Sequence, residues 1–324
     1  MFHETQLALE RVGAVPLVEY MPYDYQLRLL REVDPELLAQ WDRHRLEWMR
    51  QVDRILILTD DSFTGDVPRA ARDAWLQATS RLTSVEEARQ VPNLLVAIPS
   101  ARRAAQLGLT AGDLDRRLLP SLAAGAEGLR VQISRVLEHT GNSGGIITLR
   151  TGGKWELRLQ QGPREWLADD GTVDAEDLRR GAIVSNLPAG SIYTTVMEDS
   201  VDGSICLPAG ANGTELVLHF EQGLIIAAEP AEQAGDFLSM LDRHSGDSRR
   251  VSHLGLGLNP FLEGRPMGWT LVDEHILGAM FLALGENRYM GGQNSSSLNV
   301  DYAVAGATLL VGGCTLLEDG KVVV

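Results

Sequence analysis

A chain of 324 residues, 44% hydrophobic, 23% charged and 6% aromatic, has the apolar mass for a large core, in one long domain or two. A formal net charge of −15 and a pI near 4.9 oppose both a phosphate backbone and an anionic lipid surface, so neither nucleic acid nor membrane is an expected partner. No apolar run reaches the roughly 18 residues of a membrane span, and the opening MFHETQLALERVG lacks a signal core, so a cytoplasmic protein is expected.

The elements follow in chain order. YQLRLLREVDPELLAQWDRHRLEWMRQ carries Leu at helical spacing and breaks at Asp34-Pro35, which predicts two helices with Asp34 as N-cap and Pro35 at the first helical position. RILILTDDS reads as a buried parallel strand ended by Thr59, Asp60, Asp61 and Ser62. VPRAARDAWLQATSRL continues as a helix, and NLLVAIPSARRAAQLG repeats strand, turn and helix, the alternation of a doubly wound sheet. GGIITLRTGGKWELRLQQG alternates about Gly152-Gly153 as a hairpin. The acidic tract ADDGTVDAEDLRRG follows, and a boundary is expected near Gly181, giving domains 1–180 and 181–324.

Beyond it the chain is mostly strands. SIYTTVMEDSVDGSICLP and TELVLHFEQGLIIAAEP read as hairpins, AEQAGDFLSMLDRH as a helix, and RVSHLGLGLNP as a strand entering a loop. DEHILGAMFLALGEN reads as an apolar, small-residue helix with Asp273 as N-cap. LNVDYAVAGATLLVGGCTLLEDGKVVV closes the chain with strands.

Cys206 and Cys314 stand 108 positions apart in apolar, strand-like contexts, which excludes CxxC chemistry and suits buried structural thiols in a reducing compartment. Walker, HExxH and GxSxG motifs are absent, and Gly255 and Gly257 lack the third glycine of a dinucleotide loop. Two polar positions interrupt apolar strands. His253 begins HLGLGLNP, and Asp301 sits in LNVDYAVAG, where a carboxylate is costly unless paired, hydrogen-bonded or metal-bound. Asn299 lies two positions before Asp301, hence on the same strand face.

The order SNLPAGSIYTT…DSVDGSI, HLGLGLNP, LVDEHILGAMFLALGEN, GGQNSSSLNVDYAVAG resembles the thermophilic aminopeptidase (aminopeptidase T) family of metallopeptidases. That family carries a glutamate after an N-L/I-P segment, then E-L-G-x-G on a strand, D-E-x-x-L-G…H-x-A-L-G, and S-x-H-x-D. AIPSARRAAQLGLTAGDLDRRLLPSLAAG is similar to its helical region, and the likeness runs from about Leu56 onward. The resemblance implies a mixed α/β and α+β chain, an N-terminal α/β domain followed by a strand-rich domain that carries the site. It also implies a homodimer. In this chain Ala189, Gly190 and Ser191 stand in place of the glutamate, His253 in place of the E of E-L-G-x-G, and Phe281 in place of the metal-binding His. Asn299 replaces the His of H-x-D, and Asp301 matches. A His at the position of His253 also resembles 2,5-dihydroxypyridine 5,6-dioxygenase, which holds one Fe(II) with two His and one Asp and leaves positions open for O₂ and substrate.

The resemblance implies an enzyme that has left peptide hydrolysis for a small aromatic, heterocyclic or peptide-derived substrate. His253, Asp301 and Asn299 are its expected catalytic residues, with His253 and Asp301 on one divalent metal, Fe(II) or Zn, or as an acid–base pair without metal. Tyr193, Glu198, Asp202, Tyr289 and Asn294, with Asp199, are expected to line the cleft. A second reading is a metallohydrolase with His253, His275, Glu274 and Asp301 as ligands. A third is a non-catalytic peptide- or partner-binding protein, with the GGQNSSSLN loop supplying donors.

Overall fold

A computed structural model describes residues 2–60, 67–141, 144–209 and 214–324. Asp61 and Ser62, expected to end the first strand, lie outside them. The chain divides into two compact units, Met1–Ile98 and Pro99–Val324.

The first unit contains α1 (Phe2–Arg11), α2 (Tyr23–Glu32), α3 (Pro35–Leu38), α4 (Arg45–Met49), β1 (Ile55–Thr59), α5 (Arg69–Arg89) and β2 (Asn93–Ala97). Asp34 is the N-cap of α3 as expected: its carboxylate accepts from the Glu36 N–H at 2.8 Å, with Pro35 at the first helical position. β1 and β2 pair in parallel from Ile55 opposite Asn93 to Thr59 opposite Ala97. Leu30, Leu38, Val67, Ala71 and Ala74 form the core of this unit.

The second unit opens with α6 (Ala101–Gln106), α7 (Ala111–Leu122) and α8 (Ala126–Leu137). The chain continues through β3 (Ile146–Thr151), β4 (Trp155–Gln160), β5 (Leu167–Asp169), α9 (Ala175–Arg180), β6 (Val184–Leu187), β7 (Ser191–Thr195), β8 (Asp202–Ala209), β9 (Thr214–Glu221) and β10 (Leu224–Glu229). It ends with α10 (Ala231–Asp242), β11 (Val251–Gly257), α11 (Thr270–Asp273), β12 (Met280–Gly285), β13 (Asn299–Val304), β14 (Thr308–Val311), β15 (Cys314–Glu318) and β16 (Lys321–Val322). Two sheets dominate: an eight-stranded one, β10-β9-β8-β4-β3-β14-β15-β16, and a five-stranded one, β13-β12-β11-β7-β5. Leu149, Leu157 and Ile205 of the first share one core with Ile192, Leu254, Leu256 and Leu282 of the second.

The fold class is the expected mixture of helices and sheets, but several local expectations change. The units meet at Ile98–Pro99 rather than near Gly181, because strands before 181 pair with strands after it: β3 with β14, β4 with β8, β5 with β7. The SIYTTV and DGSICLP segments are not one hairpin, since β7 and β8 belong to different sheets. MFLALG is a central strand, buried at every position, where a helix was expected. Buried on both faces, it shows no alternation to separate it from an apolar helix. Asp273 caps no long helix; its carboxylate accepts from the N–H groups of Met267, Gly268 and Trp269. Cys206 is a buried free thiol as expected, whereas Cys314 is half-buried. Among the described residues no helix is long and apolar enough to cross a membrane.

Candidate functional site

The site is built on β11. Leu254 and Leu256 enter the core, so His253, Gly255 and Gly257 face the other side of the sheet. The register against β12 slips along this strand: Val251 lies opposite Leu284, Leu254 opposite Leu282. Ser252 and His253 therefore share Ala283 as their partner. This is a β-bulge, the feature that re-aims a side chain within a ladder. Thr195 Oγ1 and Asn287 Nδ2 both donate to the Ser252 carbonyl, at 2.6 and 3.1 Å, and pin the bulge.

Asp301 on β13 lies opposite the same Ala283. β11 and β13 are two strand spacings apart, about 10 Å, and the methyl group of Ala283 leaves room for longer side chains to meet above it. His253 Nε2 stands 2.8 Å from Asp301 Oδ1, with both side chains largely buried.

The hydrogen bonds decide which tautomer His253 adopts. The Ser252 hydroxyl donates to the Glu286 carbonyl at 2.6 Å and lies 2.9 Å from His253 Nδ1. The carbonyl only accepts, so the hydroxyl proton is committed and Nδ1–H donates to Ser252 Oγ. Nε2 is left facing Asp301. Two lone pairs would repel there, so a proton or another cation must lie between them. Asp301 Oδ1 has no aligned hydrogen-bond donor, which makes the 2.8 Å approach a charge contact rather than a linear hydrogen bond.

Aromatic rings flank the pair. Tyr193 and Phe281 both lie opposite Gly255, and their ring centroids stand 6.3 and 6.0 Å from the imidazole, edge-on. A Cβ at Gly255 would collide with the Phe281 ring and come within 2.5 Å of the Ile192 carbonyl oxygen. Burial, and then the charge of Asp169, push the Tyr193 phenol well above its usual range, so it stays protonated. On the solvent side Asn299 Nδ2 donates to Tyr289 Oη at 3.2 Å. The structure thus brings together His253, Asp301, Asn299, Tyr193 and Tyr289.

Other expected residues lie elsewhere. Glu198 accepts from Arg164 Nη2 at 2.9 and 3.0 Å, from Asn287 Nδ2 at 3.0 Å and from Gln293 N–H at 2.7 Å. Asn294 donates to the carbonyls of Val251 and Gly285. Both side chains tie down the glycine- and serine-rich loop. Asp202 accepts from the Gln222 N–H at 2.9 Å on the eight-stranded sheet, and Asp199 is exposed.

His275 sits by Gly257, four residues or about 13 Å along β11 from His253, where its carbonyl accepts from the Asn259 N–H at 3.0 Å. Its imidazole is fully buried, with Nε2 3.4 Å from Glu274 Oε1 and 3.8 Å from Asp169 Oδ2. Burial opposes the imidazolium, but Glu274, Asp169 and Asp301 outweigh it and raise the His275 pKa. Burial raises that of Glu274, helped by Asp301 and Asp169. Asp169, Asn186, Ser252 and Asn287 were not anticipated. Each is a common polar residue in a turn or strand, and Ser252 alone had a signal, its place beside His253.

The donor set can be weighed against an implied metal. Among the described residues no three His, Cys, Asp or Glu side chains converge at ligand spacing. His253 and Asp301 supply two donors, Phe281 supplies none, and Asn299, whose Nδ2 donates to Tyr289, offers only an amide oxygen, a poor ligand for Fe(II) beside imidazole. That set fits neither a two-metal centre nor a three-residue facial triad.

No family model and no curated protein sequence matches the chain. Solved structures do match, among them the following two. The 2,5-dihydroxypyridine dioxygenase of Pseudomonas putida KT2440 aligns with a TM-score of 0.53 at 16% identity, over 90% of this chain and 98% of that one. Wild-type AmpT from Thermus thermophilus aligns with a TM-score of 0.73 at 19% identity, over 98% of this chain and 90% of that one. At these identities the likeness is one of fold, and the chain has the mixed α/β fold of aminopeptidase T.

Proposed function

We propose that the protein is an enzyme that keeps this fold but has left peptide hydrolysis, and that it acts on a small aromatic, heterocyclic or peptide-derived substrate by proton transfer at the His253–Asp301 pair. The observation that carries this reading is the bulge at Ser252–His253, which aims Nε2 at Asp301 Oδ1 across Ala283. Ser252 fixes the imidazole in one tautomer. The proton held between Nε2 and Asp301 is the one the pair gives to a substrate and recovers afterwards, general acid–base work of about 10²–10⁴-fold in rate. The rings of Tyr193 and Phe281 offer a planar substrate its walls, and the Asn299 amide and Tyr289 hydroxyl are the donors for charge developing on a substrate oxygen.

A second reading places one divalent ion, Fe(II) or Zn(II), on the same two atoms. The off-line approach of Asp301 Oδ1 favours it, and ligands at right angles on a six-coordinate ion such as Fe(II) stand about 3 Å apart. The ion would supply Lewis acidity, held by two protein ligands. A homodimer remains part of the proposal.

The test is turnover of hydroxylated aromatics, N-heterocycles and aminoacyl amides by metal-stripped protein. Turnover that survives chelation and is lost in Asp301→Asn supports acid–base chemistry. Turnover that needs added Fe(II) or Zn(II) selects the second reading. Calorimetric binding without turnover makes the protein a binding module and overturns both.

A further inference from the structure

The outer face of the eight-stranded sheet holds a second serine–histidine pair. Ser204 on β8 lies directly opposite His219 on β9, and its Oγ stands 2.8 Å from His219 Nδ1. On the other side of the ring, His219 Nε2 stands 3.4 Å from Glu229 Oε1 of β10. Two backbone devices bring the three together. The β9–β10 register slips at Ile226: Ile225 lies opposite Phe220, but Ala227 opposite His219. Side chains alternate along a strand, so the inserted residue moves Glu229 from the core face, where Ile225 is buried, to the face of His219. Ser204 follows Gly203, whose φ of +113° belongs to glycine and where a Cβ would collide with the Glu156 carbonyl oxygen.

The polarity of this pair is opposite to that of Ser252 and His253. There the serine proton goes to a carbonyl and the imidazole donates to the serine oxygen. Here a carboxylate, which only accepts, faces Nε2 and holds the ring proton on that side. The Nδ1 lone pair therefore faces Ser204, and among the described residues no carbonyl competes for the Ser204 proton. A hydroxyl that donates to an imidazole, itself oriented by a third group, is the arrangement that activates a serine. Catalytic contacts of this kind are often long before a substrate binds, as the Glu229 approach is. The groups are reachable: Ser204 is half-buried, and the His219 and Glu229 side chains are 28% and 54% exposed. The Trp155 ring meets the imidazole edge-on with centroids 5.8 Å apart, and Lys154 Nζ lies 4.5 Å from the centre of that ring.

We propose that Ser204, His219 and Glu229 form a second reactive site that cleaves small aryl esters, with Ser204 as nucleophile, His219 as its base and Glu229 as the residue that positions the base. Ser204 Oγ bonds to the ester carbonyl carbon while His219 Nδ1 takes the hydroxyl proton. The bond from that carbon to the aryl oxygen breaks, and the phenol leaves with the proton from His219. Water, deprotonated by the same nitrogen, then breaks the acyl–serine ester; the carboxylic acid departs and the proton returns to Ser204 Oγ. An aryl ester suits an open sheet face because a phenolate leaves readily, and Trp155 gives its ring a surface to stack on. Lys154, held over the same ring, brings an ammonium to this face for the charge that develops on the carbonyl oxygen.

The experiment treats the full chain with p-nitrophenyl acetate and, separately, with a fluorophosphonate, quenches in acid and maps the label by peptide mass spectrometry; nitrophenolate release gives the rate. Label on the Ser204 peptide is the expected result, lost in Ser204→Ala. His219→Gln should slow nitrophenolate release by at least about 10²-fold. Glu229→Gln should lower kcat and leave KM unchanged, a split that loss of local structure would not produce. Melting curves confirm that the variants are folded. Label confined to lysines or to other serines overturns the proposal, as does no label at all. So does labelling of Ser204 at an equal rate in His219→Gln. None of these outcomes bears on His253 and Asp301, which lie on the other sheet.

Discussion

Replacing Arg164 by Met should expose how much the loop beside the site depends on a buried ion pair. The Arg164 and Glu198 side chains are each 10% exposed. Arg164 Nη2 donates to both Glu198 oxygens, at 2.9 and 3.0 Å, and Nη1 donates to the Val196 carbonyl. Without the guanidinium, Glu198 keeps only Asn287 Nδ2 and the Gln293 N–H. Stranding one partner of a buried pair costs about 3–5 kcal/mol, and the two surviving bonds place this case near 3 kcal/mol. The unit from Pro99 to Val324 has 324 − 98 = 226 residues, a size at which each kcal/mol shifts the melting midpoint by about 2–4 °C, so a drop of about 6–12 °C is expected. Circular dichroism melts and urea titrations at pH 7 measure it. Adding Glu198→Gln should recover part of the loss by removing the stranded charge. The pH dependence has a definite sign. Burial pushes the Glu198 pKa up, but the Gln293 N–H, Arg164 and Asn287 outweigh it and the net shift is downward. A lowered folded-state pKa contributes stability that is present above the unfolded value, about 4.3, and lost as pH falls through the folded one. The gap between wild type and Arg164→Met should therefore narrow on acidification. A loss under about 1 kcal/mol at pH 7 is what a surface pair would show, and that result, or a gap widening toward low pH, refutes the reasoning.

Gly255→Ala should destabilise by about 1–3 kcal/mol in urea unfolding, since the added methyl meets the Phe281 ring and the Ile192 carbonyl oxygen; a neutral result would mean the strand opens freely. Asp34→Ala should cost about 1 kcal/mol in the first unit through loss of the cap on the Glu36 N–H, measurable by hydrogen exchange at α3. Burial, reinforced by Glu215, raises the Cys206 thiol to about 11, so brief iodoacetamide treatment at pH 8 should label half-buried Cys314 first; equal labelling of Cys206 in peptide mass spectra contradicts its burial.

Much of the fold is legible in the residues themselves. The cap at Asp34, the β3–β4 hairpin about Gly152-Gly153 and the β9–β10 hairpin all follow from local turn and cap chemistry. β12 does not, because a strand buried on both faces loses its alternation, and MFLALG suits a helix equally well. The sheet assignment of β7 and β8 depends on long-range pairing that no local pattern encodes. At the site, His253 and Asp301 stand out because a polar residue inside an apolar strand needs a reason. The bulge that joins them is invisible, since it is a register slip and not a residue type. Asp169 hides in an acidic tract, and only its full burial against Ser185, Asn186 and His275 distinguishes it.

The central claim is that the His253–Asp301 pair performs the chemistry. Its most direct test compares wild type with Asp301→Asn on the best compound from the substrate panel, with melting curves confirming that both are folded. Asn keeps the shape of Asp301 and removes its charge, leaving the imidazolium without its counter-charge. A fall in kcat of at least about 10²-fold is predicted, with KM changed far less. Equal kcat in the two proteins would contradict the account, and would place the reaction away from this pair.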